Sequence, residues 1–454
     1  MAGAPAFTYN SRFPTLHRMS TFRTTLRALK HRNFRLFATG QMFALVGYWM
    51  QGIAQGWLLY RLTESATLLG LLGFAGSVPI LLLAPLAGLW SDRANLHRLM
   101  FTIQVLQMFQ AIALAALAVA GVIEPWHIIT LAMILGALVA FELPVRHAYL
   151  LELVGGKEDL PNAVALTSMM ANLGRLIGPA LAGVTIGWIG EAWCFVLNAL
   201  SFVIVIATFL MIHVTPTRRP AVHAPLWQGL REGVAYAWRS LPIRLLLSLL
   251  ALVALLATPY MVLMPVITRE IFQGESEEMG YLVGAAGLGA LVGTIYLASR
   301  RFVPGLVRVI AGASFAAGAA LTLLAWSGTF WVALPLLAVT GFGILVTSVA
   351  TNMILQTIVD DDKRGRVLSL YTAAFLGMAP LGSMLGGLLA DAIGIALTLT
   401  LGGASCAAAA IYLNRQRPRI RGELEPIYER LGVGRTWPRQ APNARPAPEE
   451  CKQG

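Results

Sequence analysis

Twelve apolar stretches, each long enough to cross a bilayer, follow one another between Asn33 and Asn414. A hydrocarbon core about 30 Å thick takes about 20 helical residues to span. Inside it every backbone N–H and C=O must be bonded within its own segment, so the stretches are predicted to be α-helices. The spans read as 34–60, 68–89, 98–120, 126–146, 163–188, 191–212, 243–267, 279–299, 306–326, 330–357, 367–391 and 394–413. The expected fold class is therefore an all-α membrane protein of twelve transmembrane helices. Such a chain moves something through a membrane, senses something in it, or does chemistry there.

Charge sets the orientation. Only 12% of the residues are charged, where a soluble chain carries about 25%. With the N-terminus inside, 31 of the 34 Lys and Arg fall on the inner side. Arg61 and Arg269 face out, and Arg175 lies within a span. This positive-inside bias places both termini in the cytoplasm. It also accounts for the net charge of +12 as a topological and lipid-headgroup signal, which argues against a nucleic-acid partner. No cleavable signal peptide is expected before the first span, and Met19 is an alternative start. Cys194, Cys406 and Cys451 are scattered, with neither metal spacing nor a disulfide framework.

The chain divides at its middle. Residues 1–32 read as a cytoplasmic segment, 33–212 as a first six-helix half and 243–413 as a second. Residues 213–242 form a basic linker, in which Leu226, Leu230, Val234 and Trp238 recur every four residues, as in a helix lying on the inner membrane surface. Residues 414–454 are rich in Arg, Pro and Glu and are expected to be a disordered cytoplasmic tail that anionic lipid attracts. A shift of 204 residues lays Val164–Gly190 over Leu368–Gly394, so that Gly178 meets Gly382, Gly183 meets Gly387 and Gly190 meets Gly394. Two parallel halves about a central axis suit a carrier that exposes one site alternately to either side.

Between the second and third spans the chain reads Gly88-Leu-Trp-Ser-Asp92-Arg93-Ala-Asn95-Leu-His97-Arg98. Gly88, Asp92 and Arg93 resemble the loop signature of the major facilitator superfamily; Asn95 stands where a second Gly is usual, as a residue that tolerates a left-handed turn. The resemblance implies the major facilitator fold, with two pseudo-symmetric halves. Physically the motif reads as a conformational latch formed by Gly88, Asp92, Arg93, Arg98 and Arg366. Asp92 would sit at the positive N-terminus of the eleventh span, and its contacts would break as the halves rock. The other reading is that Asp92 and Arg93 only fix topology.

Gly174, Gly178, Pro179 and Gly183 in the fifth span resemble the Gly-Pro signature of drug/proton antiporters of that superfamily, with Ala182 in place of a Gly. Small residues let helices pack closely, and Pro179 bends the span. Arg175 within it must face a cavity or an acid. It could meet an anionic substrate, partner a proton-coupling acid, or glue helices through carbonyls. Glu142 is the clearest acid within a span. It reads either as the proton-coupling acid, with a pKa raised by desolvation, or as half of an i,i+4 ion pair with Arg146.

Gln41, Tyr48 and Gln55 recur at seven-residue spacing in the first span, with Gln51 beside them. The superfamily lines its cavity with the first, fourth, seventh and tenth spans. The resemblance thus makes Gln41, Tyr48, Gln51, Gln55, Tyr260 and Asn352 the substrate-cavity candidates, while Trp49 and Trp57 read as packing or interface anchors. Residues 142–163 and 364–387 resemble one branch, the transmembrane secretion effectors, which includes the enterobactin exporter. No HExxH, GxSxG or phosphate-cradling motif occurs, so no enzymatic activity is expected.

The resemblance implies a secondary active exporter in the bacterial inner membrane. It would move a small amphipathic molecule, siderophore or drug, against protons, and work as a monomer without cofactor or metal. An importer or uncoupled facilitator is the alternative, and a receptor or scaffold that kept the carrier fold is the reading from another class.

Overall fold

The computed structural model describes residues 26–91, 94–214, 234–300 and 303–430. Its long helices are α1 (Arg32–Thr63), α2 (Ala66–Ser91), α3 (Leu96–Val119), α4 (Pro125–Val154), α5 (Leu160–Ile189) and α6 (Glu191–Met211) in the first half. The second half holds a broken α7 over residues 241–271, then α8 (Ser276–Ser299), α9 (Leu306–Leu324), α10 (Phe330–Ile358), a bulged α11 over residues 361–393, and α12 (Ile395–Arg430). All twelve expected spans are present, within a few residues at most ends.

Three differences have physical causes. First, α4 continues past Pro144 to Val154, where Gly155 stops it in a left-handed conformation (φ 67°). Second, the seventh span is not one α-helix. Leu241–Leu252 passes through a π-helical turn at Val253–Ala257, a 3-10 turn at Thr258–Met261 and a second π-helical turn at Ile267–Ile271. Pro259 and Pro265 remove two amide donors from the ladder within two turns. Third, residues 414–430 are helical rather than disordered. Ile420, Leu424 and Tyr428 recur every four residues and are buried in the main core, a stripe that the surrounding Arg and Glu hid. The expected surface helix of the linker lies mostly outside the described residues; helix is seen at 234–239.

The halves repeat one another as the sequence offset implies. Gly178 lets α5 press on Trp49 and Val46 of α1; Gly382 lets α11 press on Ala254 and Leu255 of α7. Gly183 meets Gly280 of α8, and Gly387 meets Gly70 of α2, so both cross from one half to the other. Gly190 and Gly394 end their helices at φ 93° and 85°, where a side chain would be strained. Eleven of the described segments are long and apolar enough to cross a membrane by composition. The first helix is long enough but more polar, because it carries Gln41, Gln51 and Gln55.

Helix ends at one face carry most of the Arg and Lys; we call this the basic face and its opposite the far face. At the basic face Asp159, which begins α5, pairs with Arg27, Lys30 and His31 (2.7 Å). The hydrogen bond from His31, ahead of the one from Lys30 and the charge of Arg27, holds its carboxyl below the usual carboxylate range. This cluster ties the segment before α1 to the loop between α4 and α5.

Candidate functional site

Polar side chains inside the first half form a ladder. Glu142 of α4 is 4% exposed. It accepts from Gln104 Nε2 (3.2 Å) and Gln107 Nε2 (2.8 Å) of α3, and forms an ion pair with Arg146 one turn on. Further along, Gln110 of α3 accepts from Gln51 of α1 (3.3 Å), whose Oε1 accepts from Asn198 of α6 (2.7 Å). Low dielectric strengthens such bonds and makes an unmade one costly. Gln104, Gln107 and Gln110 escaped the sequence reading, although three glutamines at three-residue spacing in an apolar helix are a visible signal.

Gln51 is thus corrected. It is fully buried inside the half-bundle rather than turned to the cavity. Three residues past Tyr48 is about 60° short of a full turn, so Gln51 sits at the edge of the Gln41–Tyr48–Gln55 stripe, where it meets α3 and α6. On that stripe Tyr48 is 38% exposed, whereas Gln41 and Gln55 are buried with their Nε2 groups unbonded among the described residues. In the second half Tyr260 lies buried in the 3-10 turn of α7. Asn352 of α10 accepts a bond from Gln356, near the Tyr371–Ser348 pair (2.8 Å).

Arg175 lies midway along α5, partly exposed, with its guanidinium 4.9 Å from the centre of the Trp49 ring. Among the described residues no carboxylate pairs with it. Tyr48 and Tyr260 lie within electrostatic reach of it, and Tyr48 is also within reach of Glu142 and Arg146. Arg175 thus has Tyr48 of one half and Tyr260 of the other within electrostatic reach, while the Glu142–Arg146 pair, buried inside the first half, reaches Tyr48. Trp57 likewise lies under Arg269, at 5.0 Å.

The latch is seen only in part. Asp92 and Arg93 lie outside the described residues. Gly88 falls within α2, and Arg366 within the first turns of α11. Asn95 is not left-handed: at φ −70° and ψ 110° it caps α3, its side chain accepting from the Arg98 amide (3.1 Å).

The far face shows a latch of its own. Asp391 at the end of α11 reaches across to the other half and caps α2, accepting from Ser65 Oγ (3.0 Å) and the amides of Ala66 (2.9 Å) and Thr67 (2.8 Å). Tyr60 of α1 donates to Glu270 of α7 (2.9 Å) beside it. With Gly70–Gly387 and Gly183–Gly280 in close contact, this face is closed. A cap of this kind contributes about 0.5–2 kcal/mol. Asp391→Ala, which removes both acceptor oxygens, is therefore expected to raise the population with an open far face several-fold without unfolding the protein, read as faster labelling of a cysteine placed at Thr67.

An apolar groove of 1090 Å³ lies apart from these polar groups, between α5, α8 and α10, with Ile177, Leu181, Tyr281 and Trp331 along it.

Known proteins share this architecture. A bacterial homologue of the human lysosomal transporter Spinster, in an inward-facing and unoccupied conformation, superposes with a TM-score of 0.61 at 15% identity, over 84% of this chain and 95% of that one. The nucleoside transporter NupG gives a TM-score of 0.67 at 11% identity, over 86% and 98%. By sequence, the staphyloferrin A transporter of Staphylococcus aureus is 28% identical over 395 residues, 86% of this chain and 98% of the relative. The multidrug efflux pump Tap of Mycolicibacterium fortuitum is 26% identical over 357 residues, 76% and 86% respectively. The transmembrane secretion effector family matches residues 23–427. With that match over most of its length, and with two pseudo-symmetric six-helix halves, the chain belongs to the transmembrane secretion effectors of the major facilitator superfamily.

Proposed function

We propose that this transporter is a proton-coupled exporter of a small amphipathic molecule, siderophore or drug, working by alternating access as a monomer. It would lie in a bacterial cytoplasmic membrane with the basic face and both termini inside. The observation that carries the reading is a buried ion pair inside the first half. Its acid, Glu142, is paired with Arg146 and lies within electrostatic reach of the partly exposed Tyr48. Exchange requires that Glu142 hold either a proton or a polar group of the substrate, never both: protonation from the outer side would release the substrate, and substrate arriving from the inner side would displace the proton. Binding and protonation oppose one another in this way because one carboxylate cannot serve both. The names of the staphyloferrin A transporter and of Tap support the substrate classes, and the latter supports the direction.

Everted membrane vesicles test this. With an acidic lumen they should accumulate staphyloferrin A, a macrolide or a lipophilic cation, and a protonophore should abolish the accumulation. Uptake that survives the protonophore and stops at equilibrium would mark an uncoupled facilitator. Accumulation in right-side-out vesicles alone would mark an importer.

A further inference from the structure

We propose that Arg175, Tyr48 and Tyr260 form a selectivity site for a carboxylate-bearing amphipathic substrate, an inference that rests on the exporter reading and narrows its substrate class. A guanidinium offers five N–H donors. Stacking on Trp49 engages only the face of the Arg175 group, and no described carboxylate takes up its edge. Arg269, the other arginine stacked on a tryptophan of α1, has Glu275 as its partner (3.4 Å). An arginine serving only to glue helices would bond helix-end carbonyls, and no such bond from Arg175 is found among the described residues.

The surroundings ask for the same ligand. Gln41 and Gln55, on either side of Tyr48 along α1, both leave an amide Nε2–H unbonded. The acid within reach of Tyr48, Glu142, is already occupied by Arg146, Gln104 and Gln107. Two arginines against one engaged acid leave a net positive charge, and the unsatisfied buried groups are mostly N–H donors, those of Gln41, Gln55 and Arg146, with Gln104 Oε1 beside Glu142 as an acceptor. That charge disfavours a cationic drug, whereas a carboxylate can accept from Arg175 in bidentate fashion. Tyr48 and Trp49, their rings edge to face at 5.8 Å, offer an apolar surface for the rest of the molecule. Tyr48 comes from the first span of one half and Tyr260 from the first span of the other. A ligand held between them would couple binding to the rocking of the halves.

The test uses full-length protein in nanodiscs, with 1-naphthaleneacetate and its neutral amide as a matched pair of probes, in equilibrium binding. Wild-type protein should bind the acid at least about tenfold more tightly than the amide, the worth of one charge-assisted hydrogen bond. Arg175→Gln should bring the acid down to the amide, with amide binding unchanged as the sign of an intact fold. Arg175→Lys should keep part of the preference. Equal binding of the two probes by wild type, or an acid preference that survives in Arg175→Gln, overturns the inference. The vesicle assay separates this from the exporter reading. Acid-selective binding without proton-driven accumulation overturns export and leaves the site standing; export of a lipophilic cation with no acid preference in binding does the reverse.

Discussion

Glu142→Gln is expected to abolish proton-driven accumulation in everted vesicles while substrate binding persists. Glutamine keeps the shape and one acceptor for Gln104 or Gln107, but it cannot carry the charge that Arg146 pairs with. Removing one partner of a buried ion pair costs about 3–5 kcal/mol, because the other charge is left uncompensated. A fall in thermal stability should therefore accompany the loss of coupling. The double variant Glu142→Gln/Arg146→Gln separates the two effects. It should recover much of the stability, since no lone charge remains, but none of the coupling. If the single variant still concentrates substrate in response to a pH gradient, the coupling acid lies elsewhere, and the proposed competition of proton and substrate for Glu142 is wrong.

Gly387→Leu should trap the transporter with its far face open and reduce transport by about two orders of magnitude. A side chain at this position would meet the Ala66 carbonyl and, at 2.9 Å, the Gly70 Cα, both backbone atoms of the opposite half. Backbone cannot step aside as a side-chain tip can, so the closed arrangement bears the whole clash. Overpacking costs about 1–3 kcal/mol where some adjustment is possible, and about 5.5 kcal/mol carries a two-state equilibrium from 1:99 to 99:1. A branched side chain against two backbone atoms approaches that limit. Spin labels on cysteines at Glu64 and Gln273, one in each half at the far face, should move apart. Among the described residues the native cysteines, Cys194 and Cys406, are buried and should not compete for label. Gly183→Leu, at the pseudo-symmetric crossing with Gly280, should behave alike. Full transport by either variant would show that these crossings open without consequence.

The contrast between Gly387 and Gln104 explains what was legible in the sequence. Glycines at matched offsets declare themselves, because a position that must let a backbone approach tolerates nothing larger. Gly178/Gly382, Gly183/Gly387 and Gly190/Gly394 all proved to be equivalent structural positions. The spans were equally readable, since hydropathy is a local property. Gln104, Gln107 and Gln110 were visible as residues but not as a ladder, because their partners lie on α1 and α4, remote in sequence. The same holds for Asp391, whose role as a cap depends on the start of α2, more than 300 residues away. Gln51 was misplaced by treating the polar residues of α1 as one stripe. The helical extension to Arg430 was missed because its apolar residues are few and Pro418 and Pro426 lie among them. The breaks near Pro259 and Pro265 were not singled out, because Pro144, Pro179 and Pro335 lie inside unbroken helices.

The polarity of the first helix bears on how the protein is made. During synthesis this segment leaves the ribosome before any of its partners, and its amides at Gln51 have no bond to make until Gln110 of α3 and Asn198 of α6 arrive. It should therefore linger at the protein-conducting channel, partitioning into lipid only as the third and sixth segments emerge, whereas the later half can enter the bilayer one segment after another.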